Sequence, residues 1–453
     1  MPVALQVLLT AALSVPFSLL SGWDVVTSAR LNAQLKAIRD AGDPITMTDL
    51  AKTYPEPLPG RNAAIFYNEA FQRMEAQPEL PENRLRLLPI VGTAQLPPTD
   101  RDVPPAMVRA VRDYLKDNAE ILDLLRNATA LDECKFEIDF TKGPGMLLPH
   151  LAKLRQAARL LALEAVERTE GGKPDEAADS LVACLRCGQA VRREPILISY
   201  LVRVACDAIA FDQVERWASR AKPSPKALER VEAAVAAATD HKGLERAMAG
   251  ERCFGIDIYQ NYVLKPNRGA LLGALGVGAD PAGMAVLGVI PQAYFKTDML
   301  YYLDIMNRYV AAARMPYPEA LQAGTQVGRN LDQEIPKYYF VSRMILPALS
   351  RVFFTAQRHL AQGECALLGL AALRYRDKHG RLPDALQALV PDFAPTVPPD
   401  PFDGKPLRYR KDGDGLVLYT VGENGKDDGG DTARREGKQP DIGFRVRWPK
   451  AQF

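Results

Sequence analysis

The sequence predicts a mainly α-helical protein that ends in a small α+β unit, and two observations carry this prediction. Apolar residues recur at helical spacing through most of the 453 residues, and prolines and glycines separate these runs. Near the C-terminus the pattern changes to two short runs around an Asp-Gly turn, which is typical of a β-hairpin. We therefore expect a helical body with αα-hairpins, an N-terminal hydrophobic helix, and a C-terminal domain made of a long helix and a short antiparallel sheet.

The composition is that of an ordinary globular protein, with 47% hydrophobic and 25% charged residues. The length predicts two or three domains, which we place at residues 1–23, 24–350 and 351–453. Lysine and arginine number 57 against 55 aspartates and glutamates, which leaves a net charge of only +2. Because no basic stripe with interleaved aromatic residues is present, a nucleic-acid partner is not expected.

Residues 2–23 contain no charged side chain and are long enough to span a bilayer. A signal peptide is an alternative, although a basic n-region and a small-x-small cleavage site are both missing. A helix buried against the rest of the chain is a third interpretation. The sequence favours a transmembrane anchor or an export signal, so that the membrane is a partner through this segment and the bulk of the chain is extracytoplasmic.

The body is predicted to consist of successive helices. The first helix is expected to continue past Asp24 to about Ala41, and Asn62 is expected to cap a helix through Met74. The turn at residues 170–174 predicts an αα-hairpin between its two neighbouring helices. Further helices are predicted over Met107–Arg126, Leu148–Arg168, Asp175–Arg192, Ile196–Ser219, Pro225–Asp240, Tyr301–Ala313 and Glu334–Phe354.

The segment Gly269–Phe295 is rich in glycine and alanine and is charged only at Asp280. Asp280-Pro281 cuts it into pieces that are too short to span a membrane. A flexible apolar loop or a tightly packed hairpin is therefore preferred over a second membrane contact.

Motifs of common enzyme classes are absent from the sequence. There is no Gly-x-Ser-x-Gly elbow, His-Glu-x-x-His helix or phosphate-binding loop. Cys184 and Cys187 lie one helical turn apart without a second pair of zinc ligands, so they are interpreted as small buried residues. Glu133, Glu137 and Asp139 alternate as on a solvated edge rather than as an acid–base group. The sequence favours a non-enzymatic protein, while an active site built from scattered residues stays open.

The C-terminal hundred residues follow a defined order of elements. A helix is predicted over Thr355–His379, and Gly380 is expected to end it in the left-handed conformation. Pro383 and Asp384 begin a short second helix that reaches Val390. Two strands and a glycine- and aspartate-rich loop complete the order, over Leu407–Arg410, Leu416–Val421 and Gly422–Asp441.

This order resembles the C-terminal part of the major, G-type pseudopilin of bacterial type II secretion, over about a fifth of the chain. The stretch Leu31–Ala70 resembles the start of uncharacterised bacterial envelope proteins. The basic leader and cleavage point of pilin-type proteins are absent, so assembly into a pilus by the usual helix packing is not expected. The residues that carry the pseudopilin likeness are Tyr375-x-x-x-x-Gly380-Arg381-Leu382-Pro383, Asp400-Pro401-Phe402-Asp403-Gly404-Lys405-Pro406-Leu407-Arg408-Tyr409, Tyr419–Lys426 and Asp441-Ile442-Gly443.

The resemblance implies a structural Ca²⁺ site in the last loop. By position, Val421 would supply a carbonyl, Asn424 a side-chain oxygen and Asp441 a carboxylate. Asn424 stands where the family has Asp, and Gln439 stands where it has a second Asp.

Three further carboxylates could replace the missing charge, because calcium accepts six to eight oxygen ligands in loose geometry. They belong to Asp427, Asp428 and Asp431. A solvated acidic turn without metal is the alternative, since four basic residues weaken the local negative field. These residues are Lys426, Arg434, Arg435 and Lys438.

Together these observations favour a non-enzymatic cell-envelope protein that serves as an interaction or scaffold module. It would be type II secretion system protein G-like, with calcium stabilising its C-terminal domain. The alternative is an extracytoplasmic hydrolase with its active site in the helical body. A cytoplasmic soluble protein is a third possibility, which requires residues 1–22 to pack on the body.

Overall fold

The computed structural model of the protein describes residues 3–239, 242–265, 290–349, 351–432 and 440–448. Short 3-10 turns lie at Phe140–Gly145, Leu346–Leu349 and Leu386–Leu389, and a π turn at Tyr259–Val263. The helices are α1 (Val3–Asp40), α2 (Met47–Lys52), α3 (Ala64–Ala76), α4 (Glu82–Leu85), α5 (Pro105–Asp117), α6 (Ala119–Ala130), α7 (Pro149–Glu170), α8 (Pro174–Gln189), α9 (Leu197–Arg220), α10 (Pro225–Ala238), α11 (Lys242–Ile258), α12 (Gln292–Ala313), α13 (Glu319–Glu334), α14 (Phe340–Ile345) and α15 (Val352–His379). The strands are β1 (Arg408–Asp412), β2 (Gly415–Thr420) and β3 (Ile442–Val446).

The predicted fold class is confirmed at the level of a mainly helical chain with a small antiparallel sheet near the C-terminus. The sheet has the order β1-β2-β3. Tyr409 pairs with Leu418, and Leu418 pairs in turn with Phe444. Every residue of β2 is buried, because α15 covers one face of the sheet and the loop at Gly430 packs against Val417 and Tyr419 on the other. The sequence analysis did not predict β3, whose five residues include a glycine and give only a short alternation.

Two hydrophobic cores make up the interior, and α15 contributes to both. The first core joins α3 and α5–α10 to the sheet, and it encloses Trp217 and Phe444. The second core joins α1 to α11–α14 and encloses Tyr302 and Tyr309. The N-terminal part of α15 lies in the second core, and its C-terminal part lies in the first. This long helix therefore connects the sheet to the whole helical body, while the division at residues 350 and 351 stays a prediction.

The prediction of a transmembrane helix is wrong for the part of the chain that the structure describes. None of its helices is both long and apolar enough to cross a membrane. Residues 3–23 instead begin α1, which continues unbroken for 38 residues. The second half of α1 packs on α12, where Leu31 and Ile38 are buried and Lys296 Nζ lies 2.8 Å from Asp24 Oδ1.

Two predicted helices are interrupted. Met107–Arg126 is divided at Asn118, which has φ −106° and whose side-chain amide donates to the Tyr114 carbonyl at 2.8 Å. This side chain competes with the helical hydrogen bonds. Glu334–Phe354 is divided around Pro336 and Pro347, because proline has no N–H for the helical ladder. Most of the apolar segment Gly269–Phe295 lies outside the described residues.

The C-terminal helix follows its prediction closely. α15 ends at His379, and Gly380 adopts the left-handed conformation with φ 71°. The second predicted helix is shorter than expected and forms only the 3-10 turn Leu386–Leu389. Asp412 and Gly415 close a two-residue hairpin turn, so β1 extends further than the sequence predicts.

Candidate functional site

An open cleft of about 480 Å³ lies between α10, α15 and the segment Ala394–Pro398. Ser224 caps the start of α10, where its Oγ accepts the Ala227 N–H at 3.2 Å, and Pro225 occupies the first helical position. One side of α10 is buried in the first core, and an adjacent side faces the cleft. The lining residues are Glu229, Glu232, Ala233, Ala236, Glu364, Leu367, Leu368, Arg374, Ala394, Pro395, Thr396 and Pro398.

Contacts near both ends of the cleft fix the two helices. A Cβ on Gly363 would lie 2.3 Å from Thr239 Oγ1, so the absence of a side chain permits this close approach. Near the other end, Arg374 Nη1 lies 2.8 Å from Glu232 Oε2. The Arg374 guanidinium also lies 5.9 Å from the centre of the Phe393 ring. The walls are therefore held by packing and by an ion pair.

The cleft carries more negative than positive charge. Among the described residues, Glu229, Glu232 and Glu364 line it together with one cation, Arg374. Burial raises the pKa of Glu364 to about 6. Within the described ranges, no hydrogen bond or ion pair to the Glu364 carboxylate is found. Burial also raises the pKa of Glu232, and the bond from Arg374 opposes that shift. Above about pH 6 an ionised Glu364 makes the cleft an attractive site for a cation.

The predicted calcium ligands lie around the loop that precedes β3. Val421 is buried, and its N–H donates to Asp400 Oδ2 at 3.0 Å. The Asn424 side chain donates to Asp428 Oδ2 at 2.7 Å. The buried Asp441 carboxylate accepts the Gly430 N–H at 2.7 Å and the Asp428 N–H at 3.3 Å. Backbone amides thus already satisfy the most buried of the predicted ligands.

The other two predicted ligands differ in their surroundings. The Asp427 carboxylate accepts the Gly429 N–H at 3.0 Å and the Tyr419 hydroxyl at 3.1 Å. Asp431 accepts the Asp441 N–H through its backbone carbonyl at 3.0 Å. Across the described part of the chain, no three acidic, histidine or cysteine side chains converge as a metal site. The calcium site stays a prediction, and Gln439 lies outside the described residues.

A guanidinium group lies among the carboxylates beside this loop, and the sequence analysis did not identify it. Arg408 Nη1 lies 2.5 Å from Asp400 Oδ2, and Nη2 lies 2.6 Å from Asp403 Oδ2. Its Nε lies 3.5 Å from Asp427 Oδ2. The signal was present in the Asp-Pro-Phe-Asp-Gly turn followed by Arg408 on the next strand. Arg408 therefore supplies positive charge to Asp427, one of the carboxylates that the sequence predicts as calcium ligands.

Two histidines are enclosed in buried networks that sequence reasoning also missed. His150 Nε2 lies 3.0 Å from Glu194 Oε1, and the Ser199 hydroxyl donates to Glu194 Oε2 at 2.5 Å. His359 Nε2 lies 3.1 Å from the fully buried Asp207. Because these side chains are at most 6% exposed, they hold helices together and offer no surface to a substrate.

Two of the three acidic candidates, Glu133 and Asp139, have structural partners. Glu133 Oε2 accepts the Leu58 N–H at 2.7 Å, and Asp139 Oδ1 accepts the Thr141 N–H at 3.0 Å. Cys184 and Cys187 are buried on α8, in agreement with their interpretation as small core residues. All six cysteines are buried free thiols.

Comparisons of the chain with protein-family models, curated proteins and solved structures found no match. They give no family support for describing the chain as pseudopilin-like, G-like or calcium-binding, so the chain is not assigned to that family. What the structure supports is a mainly helical chain with a small three-stranded antiparallel sheet. The resemblance itself stays a prediction from the quoted residues.

Proposed function

We propose that this protein is a non-enzymatic interaction or scaffold protein of the bacterial cell envelope. The observation that supports this role is the position of the acid-lined cleft, one wall of which is α15. Because α15 is packed into both hydrophobic cores, this wall is held on a rigid element. Binding sites on packed helices keep their geometry better than sites on loops do.

The envelope location rests on the resemblance and not on a membrane-spanning helix. The same resemblance supports a pseudopilin-like arrangement of α15 and the sheet, with Ca²⁺ as a structural ion in the loop before β3. The residues that would hold the ion are Val421, Asn424, Asp427, Asp428, Asp431 and Asp441.

Fractionation of the native host tests this role. We expect osmotic shock and envelope preparation to recover the full chain outside the cytosol, in a complex larger than its own 49.8 kDa. A tagged wild-type chain and a variant with Glu364→Gln would be compared by native gel after mild cross-linking. Recovery of the wild type from the cytosol as a free 49.8 kDa chain would contradict the proposed function.

The second candidate function is that of an extracytoplasmic hydrolase, and one observation favours it. Glu364, whose pKa burial raises to about 6, shares the cleft with Glu232. A carboxyl group with a raised pKa is suited to general acid catalysis. Chromogenic esters, glycosides and peptides would be incubated with the wild type and with Glu364→Gln. Turnover that Glu364→Gln abolishes would establish this function, whereas equal background rates would exclude Glu364 as its acid.

A further inference from the structure

We propose that the cleft between α10 and α15 binds a lysine or arginine side chain of a partner polypeptide, with the cationic head among Glu229, Glu232 and Glu364. This inference rests on the interaction role proposed above and gives it a chemical class of partner. A volume of about 480 Å³ is within the range of sites that enclose small groups. It exceeds what a bound metal ion alone would fill.

The walls of the cleft fit the stem of a long cationic side chain. Apolar side chains occupy all three sides, with Ala233 and Ala236 on α10 and Leu367 and Leu368 on α15. Two prolines, Pro395 and Pro398, form the third side. Lysine and arginine bury their methylene stems on such surfaces while the charged head keeps polar partners.

The charges of the cleft favour a cation over an anion. Arg374 is engaged by Glu232 at 2.8 Å and by Glu229 at 3.9 Å. Glu364 has no such partner among the residues that the structure describes, so its carboxylate is available to an incoming head group. The segment 394–398 contributes no titratable side chain. Among the described lining residues, three carboxylates against one guanidinium leave an excess of two negative charges once Glu364 is ionised.

Burial of Glu364 adds a readout that a nonspecific acidic surface would not give. Because its pKa is about 6, Glu364 ionises within the pH range in which binding can be measured. A cation bound there favours the ionised form, so its affinity rises as the pH increases through about 6. Glu229, Glu232 and Arg374 are the other charged groups that line the cleft.

Fluorescence anisotropy with the full chain tests the proposal. The probe is a labelled peptide with lysines separated by alanines, and the control peptide replaces each lysine by glutamate. We expect binding of the lysine peptide at pH 7.5 that weakens about tenfold in Glu364→Gln, roughly 1.4 kcal/mol of lost interaction. Glu364→Asp should restore part of the affinity. Glu120→Gln, which removes the same charge from an exposed side chain on α6, should bind like the wild type.

Several results would overturn the proposal. They are equal affinity of the wild type and Glu364→Gln, equal binding of the glutamate peptide, or binding of free spermidine without binding of the lysine peptide. Glu229→Gln, at the more exposed edge of the cleft, provides a second variant if Glu364→Gln loses its native circular dichroism. Loss of peptide binding while the envelope complex persists would reject this inference alone. Peptide binding by a free cytosolic chain would reject the scaffold role alone.

Discussion

The guanidinium of Arg408 lies 2.5 Å from the fully buried carboxylate of Asp400. It connects the turn at residues 400–404 to the sheet. The same carboxylate accepts the N–H of Val421, directly after β2. Arg408 is itself only 17% exposed at its side chain, and it also contacts Asp403 and Asp427. One cation on β1 therefore holds together the turn at Asp400 and Asp403 and the loop at Asp427.

Replacement of Arg408 by methionine should destabilise the sheet. The change leaves the Asp400 carboxylate buried without its cation, and breaking such a pair costs about 3 kcal/mol. Hydrogen exchange of the β2 amides should accelerate accordingly. Arg410→Met is the matched control, because Arg410 occupies the same strand and is exposed. Equal protection of β2 in both variants would show that the Arg408 ion pairs contribute little.

The stability difference between the wild type and Glu364→Gln should depend on pH. An ordinary glutamate pKa of 4.5 is raised to about 6 by burial, so the folded chain binds the proton more tightly than the unfolded chain. The wild type therefore loses stability as the pH rises from 4.5 through about 6, by up to about 2 kcal/mol. The glutamine variant lacks this loss.

Urea unfolding at pH 4 and at pH 8 measures this difference. We expect nearly equal stabilities at pH 4, and a variant that is about 1–2 kcal/mol more stable than the wild type at pH 8. Glu229→Gln, which changes a more exposed carboxylate of the same cleft, should show no such increase. A Glu364→Gln variant that is less stable at pH 8 would indicate that Glu364 makes a favourable charged contact.

Two helical glycines should respond in opposite directions to alanine. A Cβ on Gly255 of α11 would lie 1.9 Å from the Tyr302 hydroxyl, inside the second core. Gly255→Ala should therefore cost about 3 kcal/mol through overpacking. Nothing described lies within 4 Å of a Cβ on Gly22 of α1, so Gly22→Ala should gain about 0.5–1 kcal/mol. Thermal unfolding of both variants tests this, and a neutral Gly255→Ala would mean that Tyr302 moves easily.

Sequence patterns predicted elements wherever local signals agreed with packing. Pro225 and Gly380 mark helix ends that the structure reproduces, because their backbone preferences act within a few residues. The interruption at Asn118 could not be predicted, since tertiary contacts decide whether its side chain bonds to the backbone and ends the helix. The cleft could not be predicted from the sequence either, because Glu232 and Arg374 are 142 residues apart in the chain. Only the packing of α10 on α15 brings them together.

Calcium should raise the unfolding temperature if the loop before β3 binds it as the sequence predicts. A ligand that binds only the folded chain stabilises it in proportion to the logarithm of its concentration over its dissociation constant. The full chain would be treated with chelator and heated with and without 1 mM calcium. For a dissociation constant of about 10 µM this is about a hundredfold excess, and the free energy of unfolding should rise by about 2.7 kcal/mol. Asp441→Asn should abolish this response, because Asp441 is the buried carboxylate of the predicted set.

The Arg408→Met variant separates the metal from the guanidinium. If calcium and Arg408 act at different places, the variant melts lower than the wild type yet keeps the full calcium response. If both neutralise the same carboxylates, the response grows in the variant, because Asp427 loses its 3.5 Å contact with Arg408 and binds a divalent cation more strongly. If adding calcium changes the melting temperature of neither the wild type nor the variant, calcium does not bind this loop. The backbone amides of Asp428 and Gly430 would then be the partners that stabilise Asp441.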